Sequence, residues 1–499
     1  MLHTRWLYLR LLGVIWLAAF VSLWGQLDGL YGAAGILPIA DVLETRRFSL
    51  LDAGGLDAFL YWLRLPTLFW LGASDLALNL AAAGGCLAAA LVVLNIAPAP
   101  ALLACWVLYL SFVSGDVAFL TFQWDMLLLE AGLLGALLAP WGRRPGLGAR
   151  EPARAVVFLH RWLLFRVVFW SGVVKLMSGD PVWRDLSAMS YHYWTQPLPT
   201  WTAWYAHQLP AWLHRIAAAL MFVIELVAPL LLLVPTRLRA GPAALRYAPV
   251  VGAAAIAALM LLIVATGNYG FFNLLTLALC VLALEDRQWV GRLPEGARLA
   301  PLPKGRTGSP VGWRRELVYA PLVALVLTIG AARTVARFEG REAVPAAAVT
   351  ATRWAAGFRS INSYGLFATM TTTRPEIEVL GSLDGKEWRP YRFRWKPGAL
   401  DARPRFAPLH MPRLDWRMWF AALSSYDRQP WMRPFLEGLL EGRPEVLGLL
   451  AEDPFSGYHP RYVRAMVYQY RFTTPEERAE SGEWWSRKPA GAYSPMLSR

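Results

Sequence analysis

The sequence predicts a polytopic α-helical membrane protein of about nine spans with a C-terminal, mainly-β soluble domain. Three observations predict it. Hydrophobicity is high and segmental: 56% of 499 residues are hydrophobic, and mean hydropathy is +0.36. Soluble chains are closer to half apolar, without long apolar runs. The basic residues concentrate in alternate connections between those runs. Near residue 340 the texture changes to short alternating segments rich in Pro, Arg and Trp. The division expected is a membrane part, 1–335, and an extracytoplasmic part, 340–499.

A helix rises 1.5 Å per residue, so about 20 apolar residues cross a hydrocarbon core of about 30 Å. Apolar segments of this kind lie near 7–24, 75–96, 101–120, 123–139, 157–177, 211–234, 247–266, 271–285 and 317–334. The fourth and eighth are short. The first follows a short basic head like a signal peptide, yet no small-x-small site closes it, so it is read as a retained span. The stretch 57–71 carries Arg64 and Pro66 and reads as an interfacial helix.

Charge orients these spans. With the N-terminus inside, the inner loops hold Arg143, Arg144, Arg150 and Arg154, then Arg237, Arg239 and Arg246, then the run from Arg287 to Arg315. The outer loop 179–210 holds Arg184, and 267–270 holds no charge. The positive-inside rule then puts the tail outside. It also accounts for the excess of 14 positive charges without a nucleic-acid partner, and no zinc-finger, RNP or basic-helix pattern is present. Cys86, Cys105 and Cys280 all fall in apolar segments with no CxxC, which gives no support to a disulfide framework or a cysteine metal site.

In the tail, Ile377 and Val379 alternate before Asp384-Gly385, and Tyr391, Phe393 and Trp395 alternate after it, so 376–396 reads as a β-hairpin. YVRAMVYQYRF (462–472) reads as another strand, while DWRMWFAAL and WMRPFLEGLL read as short helices. About 150 residues are enough for a core of their own.

Four ionisable residues lie at membrane depth: Glu130, Arg166, Glu225 and Lys175. Charges in hydrocarbon are costly and normally face the bundle interior and pair. Depth matching pairs Glu130 with Arg166, with Glu225 as a rival partner. Arg166 and Lys175 are nine residues apart, which puts them on opposite helix faces. Lys175 lies near a helix end, where a lysine can snorkel to the interface. Trp183, Tyr191, Tyr193 and Trp194 would then be an aromatic belt. Desolvated, the same lysine could act as a base, and Asp180 or Asp185 could hold it charged. His192, His207 and His214 share the outer region without metal-ligand spacing. No cofactor or metal is expected.

The chain resembles the lipase maturation factor family in its bacterial form. The stretches that carry the likeness are YGAAGILP (31–38), TFQWDMLLLEAG (121–132) and SGDPVWRDLSAMSYHYWTQPLP (178–199) in the first part of the chain. They continue with TGNYGFFNLLTLAL (266–279), INSYGLFATMTTTRPEIEVLGSLDGKEW (361–388), PRLDWRMWFAAL (412–423) and VYQYRF (467–472). Within them stand Gln123, Trp124, Asp125, Gly179, Asp180, Trp183, Arg184, Tyr191, Tyr193, Gln196 and Pro197. Further along stand Asn268, Asn273, Asn362, Tyr364, Gly365, Arg374, Pro375, Arg413, Asp415 and Trp416. The resemblance implies a polytopic protein that assists folding of exported proteins such as lipases. It places animal members in the endoplasmic reticulum with a lumenal tail. For a bacterial member it implies the inner membrane, with a cytoplasmic N-terminus and a periplasmic tail.

The membrane half is more distantly similar to the vitamin K-dependent gamma-glutamyl carboxylase superfamily, where a G-x-K-K-L-like segment supplies a catalytic base. Gly172, Lys175 and Leu176 fall in the comparable SGVVKL, with Val174 at the other lysine position. That resemblance makes Lys175 a candidate base; His192 and Asp185, among the polar residues that gather beyond it, are further catalytic candidates. The substrate and the quinone of that superfamily do not come with it.

Overall fold

The computed structural model describes residues 1–51, 63–147, 151–235, 242–289, 313–407 and 409–499. Among them, seven helices are long and apolar enough to cross a membrane. They are α1 (Leu2–Trp24), α2 (Asp75–Val93), α3 (Pro98–Gly115), α5 (Arg154–Met177), α8 (Ala211–Leu232), α9 (Ala243–Thr266) and α11 (Trp313–Phe338). Two shorter apolar helices complete the expected set: α4 (Gln123–Leu138) and α10 (Phe272–Val281). Between α5 and α8 lie a one-turn helix, Pro181–Arg184, and two short helices, α6 (Ala188–Thr195) and α7 (Trp201–His207).

Small residues let these helices approach closely, as packing between apolar helices in lipid requires. A Cβ on Gly85 of α2 would lie 2.2 Å from the Phe20 ring, and one on Gly132 of α4 would lie 2.4 Å from Trp16. The neighbours of α1 are therefore α2, α4 and α10, and the second half packs as α5 on α8, α8 on α9 and α9 on α10. The turn before α4 is shaped by Asp116, whose carboxylate accepts the backbone N–H groups of Ala118, Phe119 and Leu120.

Two expectations need correction or fall outside the description. Residues 57–62 of the expected interfacial helix lie outside the described residues. Of the part that follows, Leu63 and Arg64 are helical, and Leu68–Leu71 is a 3-10 turn capped by Thr67. Arg150, Arg237, Arg239, Arg292, Arg298, Lys304 and Arg306 of the basic loops also lie outside the described residues.

Beyond α11 comes α12 (Ala346–Ala356), then an extended segment over 361–372. The sheet follows: β1 (Arg374–Ser382), β2 (Arg389–Pro390), β3 (Tyr462–Phe472), β4 (Trp485–Ala492) and β5 (Leu497–Ser498). Its order is β2-β1-β3-β4, antiparallel throughout, with β5 also on β3. Helices α13 (Arg413–Ala422) and α14 (Met432–Glu441) lie where short helices were expected. The hairpin is present, but its second strand is cut short. Only Arg389 and Pro390 pair in register with β1, because Trp395 and Lys396 donate their N–H groups to Asp415 of α13 instead.

The larger difference is the core. The tail was expected to enclose its own. Instead one continuous apolar cluster runs from Trp16 and Leu275 in the bundle through Tyr364 to Ile377, Trp416 and Val463 in the tail. Strand β1 is buried on both faces, so Glu376 and Glu378, which alternation puts opposite Ile377 and Val379, are buried as well. Glu376 is bound there by Arg374 and Lys396 at 2.7 and 3.0 Å.

Candidate functional site

The charged residues at membrane depth form three separate arrangements where the bundle meets the tail. The first is the expected pair. Glu130 of α4 accepts from Arg166 of α5, and both are buried. The tail completes it. Tyr364 donates its hydroxyl to the same carboxylate at 2.8 Å, Asn362 donates its backbone N–H at 3.1 Å, and Arg166 reaches the Asn362 carbonyl at 2.8 Å. Gln123 exchanges two hydrogen bonds with the backbone of Gly365. That residue is glycine because a Cβ there would lie 2.9 Å from Val174.

The second arrangement is the most completely buried. Asp125 of α4 and Arg413 of α13 are both fully buried and meet end-on through the two terminal guanidinium nitrogens, with N–O distances of 2.7 and 2.8 Å. Tyr109 donates to the carboxylate at 2.6 Å and accepts from the guanidinium at 2.9 Å. The end of α1 holds the same tail segment by its backbone. Ser22 accepts from Met411 N–H, and Gln26 accepts from Arg413 N–H and donates to the Met411 carbonyl. Sequence reading had both residues but no pairing, since 288 positions separate them.

The third arrangement centres on Lys175, which does not snorkel. It is 4% exposed and turns inward to Glu225 of α8, touching both carboxylate oxygens at 2.8 Å and the Ser171 carbonyl at 3.2 Å. All three ammonium donors are thus engaged. The partner is Glu225, not Asp180 or Asp185. The approach is possible because Gly172 faces α8, where a Cβ would already lie 3.0 Å from that of Glu225. Arg166, on the opposite face of α5, has its own partner. Lys175 and Glu225 line a cavity of about 370 Å³ together with Trp124, Tyr269, Asn273 and Trp416.

The segment after Lys175 is a structural junction. Gly179 adopts φ +73°, and Asp180 caps the next turn and accepts Met370 N–H at 2.7 Å. Trp183 is buried rather than part of a belt, and it donates to the Phe367 carbonyl. Asp185 is exposed and binds Ser187, and it does not line the Lys175 cavity. His192 stands near Tyr269, with 3.5 Å between its Nε2 and the hydroxyl. Arg374, 1% exposed, donates to the carbonyls of Trp194, Gln196 and Pro197 and so ties this loop to β1. Asn268 bridges Leu198 and Arg405 and accepts Ala407 N–H. No group of three metal-ligating side chains occurs among the described residues. Sequence reading missed Arg333 of α11, which holds the Ile361 carbonyl at 2.7 Å; its signal was a lone arginine near the end of an apolar run.

Comparison with known proteins agrees with this layout. The Lipase maturation factor transmembrane domain profile matches residues 3–291, and the Lipase maturation factor C-terminal domain profile matches 360–495. The chain belongs to the lipase maturation factor family. Lipase maturation factor 2 of Gallus gallus is 35% identical over 99% of this chain and 81% of its own. That of Homo sapiens is 33% identical over 99% and 82%, and lipase maturation factor 1 of Mus musculus is 31% identical over 99% and 87%. No solved structure matches. With its apolar helices, this family member is an integral membrane protein.

Two predictions follow from the geometry. Lys175→Met strands the Glu225 carboxylate in an apolar wall and should lower stability by about 3–5 kcal/mol, while Lys175→Met with Glu225→Leu should regain most of it. Unfolding of detergent-purified variants checks this, and additive losses would contradict it. The second concerns pH. Burial, then the Lys175 ammonium, pushes His192 down to about 4. Burial, then His214, does the same to His207, and burial with Arg413 and Arg394 does so to His410. The folded state keeps these rings neutral where the unfolded chain protonates them. Stability should therefore be intact above about pH 6.5 and fall as pH drops toward 4. Tm should be lower at pH 5 than at pH 7.5, and a flat profile would contradict the assignment.

Proposed function

We propose that this protein is a membrane-embedded maturation factor that assists folding of exported polypeptides, with its tail on the exported side of a bacterial inner membrane. One observation carries the reading: proteins named lipase maturation factor 1 and 2 align with 99% of this chain, tail included. The fold is suited to the role. A client-binding domain that pulls or holds an emerging chain needs a fixed mount, and the tail is fastened to the bundle by the buried Asp125–Arg413 ion pair and by hydrogen bonds from Tyr364 and Asn362 to Glu130. The cytoplasmic N-terminus follows from loop charge. The client is an exported protein, with a lipase as the first candidate, since that is the word in the relatives' names.

A second reading has one observation in its favour: the buried amine of Lys175 borders a cavity. In that reading the protein is a carboxylase-like membrane enzyme acting on a lipid or peptide, with Lys175 as base. The amine would first have to leave Glu225.

Crosslinking in the native host, followed by purification of the full protein, discriminates the two. Maturation predicts capture of an exported polypeptide, and a deletion strain complemented as well by Lys175→Met with Glu225→Leu, the variant that strands no carboxylate, as by wild type. Absence of any exported polypeptide, with complementation lost in that double variant and unfolding excluded by a normal elution profile, would overturn the maturation reading in favour of the enzyme.

A further inference from the structure

The cavity beside Lys175 is bordered by residues whose buried hydrogen-bonding atoms have no partner in the protein. Asn273, near the start of α10, lines it and is 1% exposed, yet neither its amide oxygen nor its amide nitrogen has a partner. The rings of Trp124 and Trp416 line it too, with centroids 4.6 Å apart, and neither indole N–H has a partner. Buried polar groups in folded proteins are normally paired, and three orphans around one cavity mark a place where something else supplies the partners.

We propose that this cavity binds the ester-carbonyl region of a neutral acyl lipid, with Asn273 as the recognition group. The chemistry follows from what is free. Indole offers donors only, and the Asn amide adds two donors and one acceptor. The site is therefore donor-rich, and its complement is rich in acceptors. The ligand carries no net charge, because the one cation in the wall already has its three donors on Ser171 and Glu225. A phosphate would enter an apolar wall beside the Glu225 carboxylate without a counter-charge. The rest of the lining is aromatic and aliphatic, including Phe272 and Leu366. At about 370 Å³ the space is within the range of small-molecule sites. Phe420 and Leu423 of the wall are 37% and 42% exposed, which gives the opening an apolar rim. An apolar body with carbonyl acceptors, available to a protein set in a bilayer, is an acyl ester. The proposal does not rest on the client reading: an empty cavity leaves maturation untouched, and a client-free protein leaves the lipid site untouched.

The test uses the full chain in detergent, with Tm measured against added diacylglycerol and against the dialkyl ether of equal chain length, which lacks carbonyls. The ester should raise Tm by about 2 °C or more and the ether by less than half as much. Asn273→Leu should abolish the difference without lowering the ligand-free Tm, because it removes an orphaned amide; a purely structural amide would lower it. If Asn273→Leu does not fold, Trp416→Phe, which keeps the ring and deletes one donor, should shrink the ester response. Equal shifts with ester and ether, no shift with either, a response unchanged in the variants, or a shift with a long-chain quinone alone would overturn the assignment.

Discussion

The Arg413 guanidinium reaches from a tail helix into the membrane bundle and closes on Asp125, and the rest of the structure depends on that contact. Neither charge has access to water. Burial opposes the charge on Arg413, and the Asp125 carboxylate more than offsets it, leaving the guanidinium held above its ordinary pKa. Taking two ions out of water is costly, and only close geometry with extra hydrogen bonds repays it. Tyr109, bonded to both ions, and the Phe119 carbonyl supply those bonds. Such a pair leaves little freedom: if the tail moves away, a bare carboxylate remains in an apolar bundle. The Glu130 arrangement repeats the logic with Tyr364 and Asn362 as the tail's contribution. Bundle and tail are therefore parts of one packed body with one core, not an anchor with a tethered module.

This organisation explains what could and could not be seen in the sequence. Apolar runs announce their own helices, so the nine segments, their order and the change of texture near 340 were legible. The Glu130–Arg166 pair was legible too, because depth along a helix can be counted. Position left Lys175 open between snorkelling and burial: proximity to a helix end permits the first, and only the packing of α8 against Gly172 shows that Glu225 is nearer than the interface. Partners contributed by the tail carry no local signal at all. Nothing near Asp125 points to Arg413, and the alternation of Tyr391, Phe393 and Trp395 reads as a strand until Asp415 takes two of the N–H groups that would continue it.

For function, the consequence is a rigid platform. The loop after Lys175, the 361–372 segment and β1 are joined by Asp180, Trp183 and Arg374, so a load on the sheet is passed to α5 and the loop before α7. Under the maturation reading proposed above, a client bound by the tail would be held against the membrane-embedded body.

The most direct measurement is amide hydrogen exchange on the full chain with Asp125→Leu, a change confined to the bundle. The account predicts faster exchange in the tail, at Arg413–Ala422 and in β1 and β3, and recovery of protection when Arg413→Met is added. Tail protection that stays at the wild-type level in Asp125→Leu would contradict it and make the tail an independent domain.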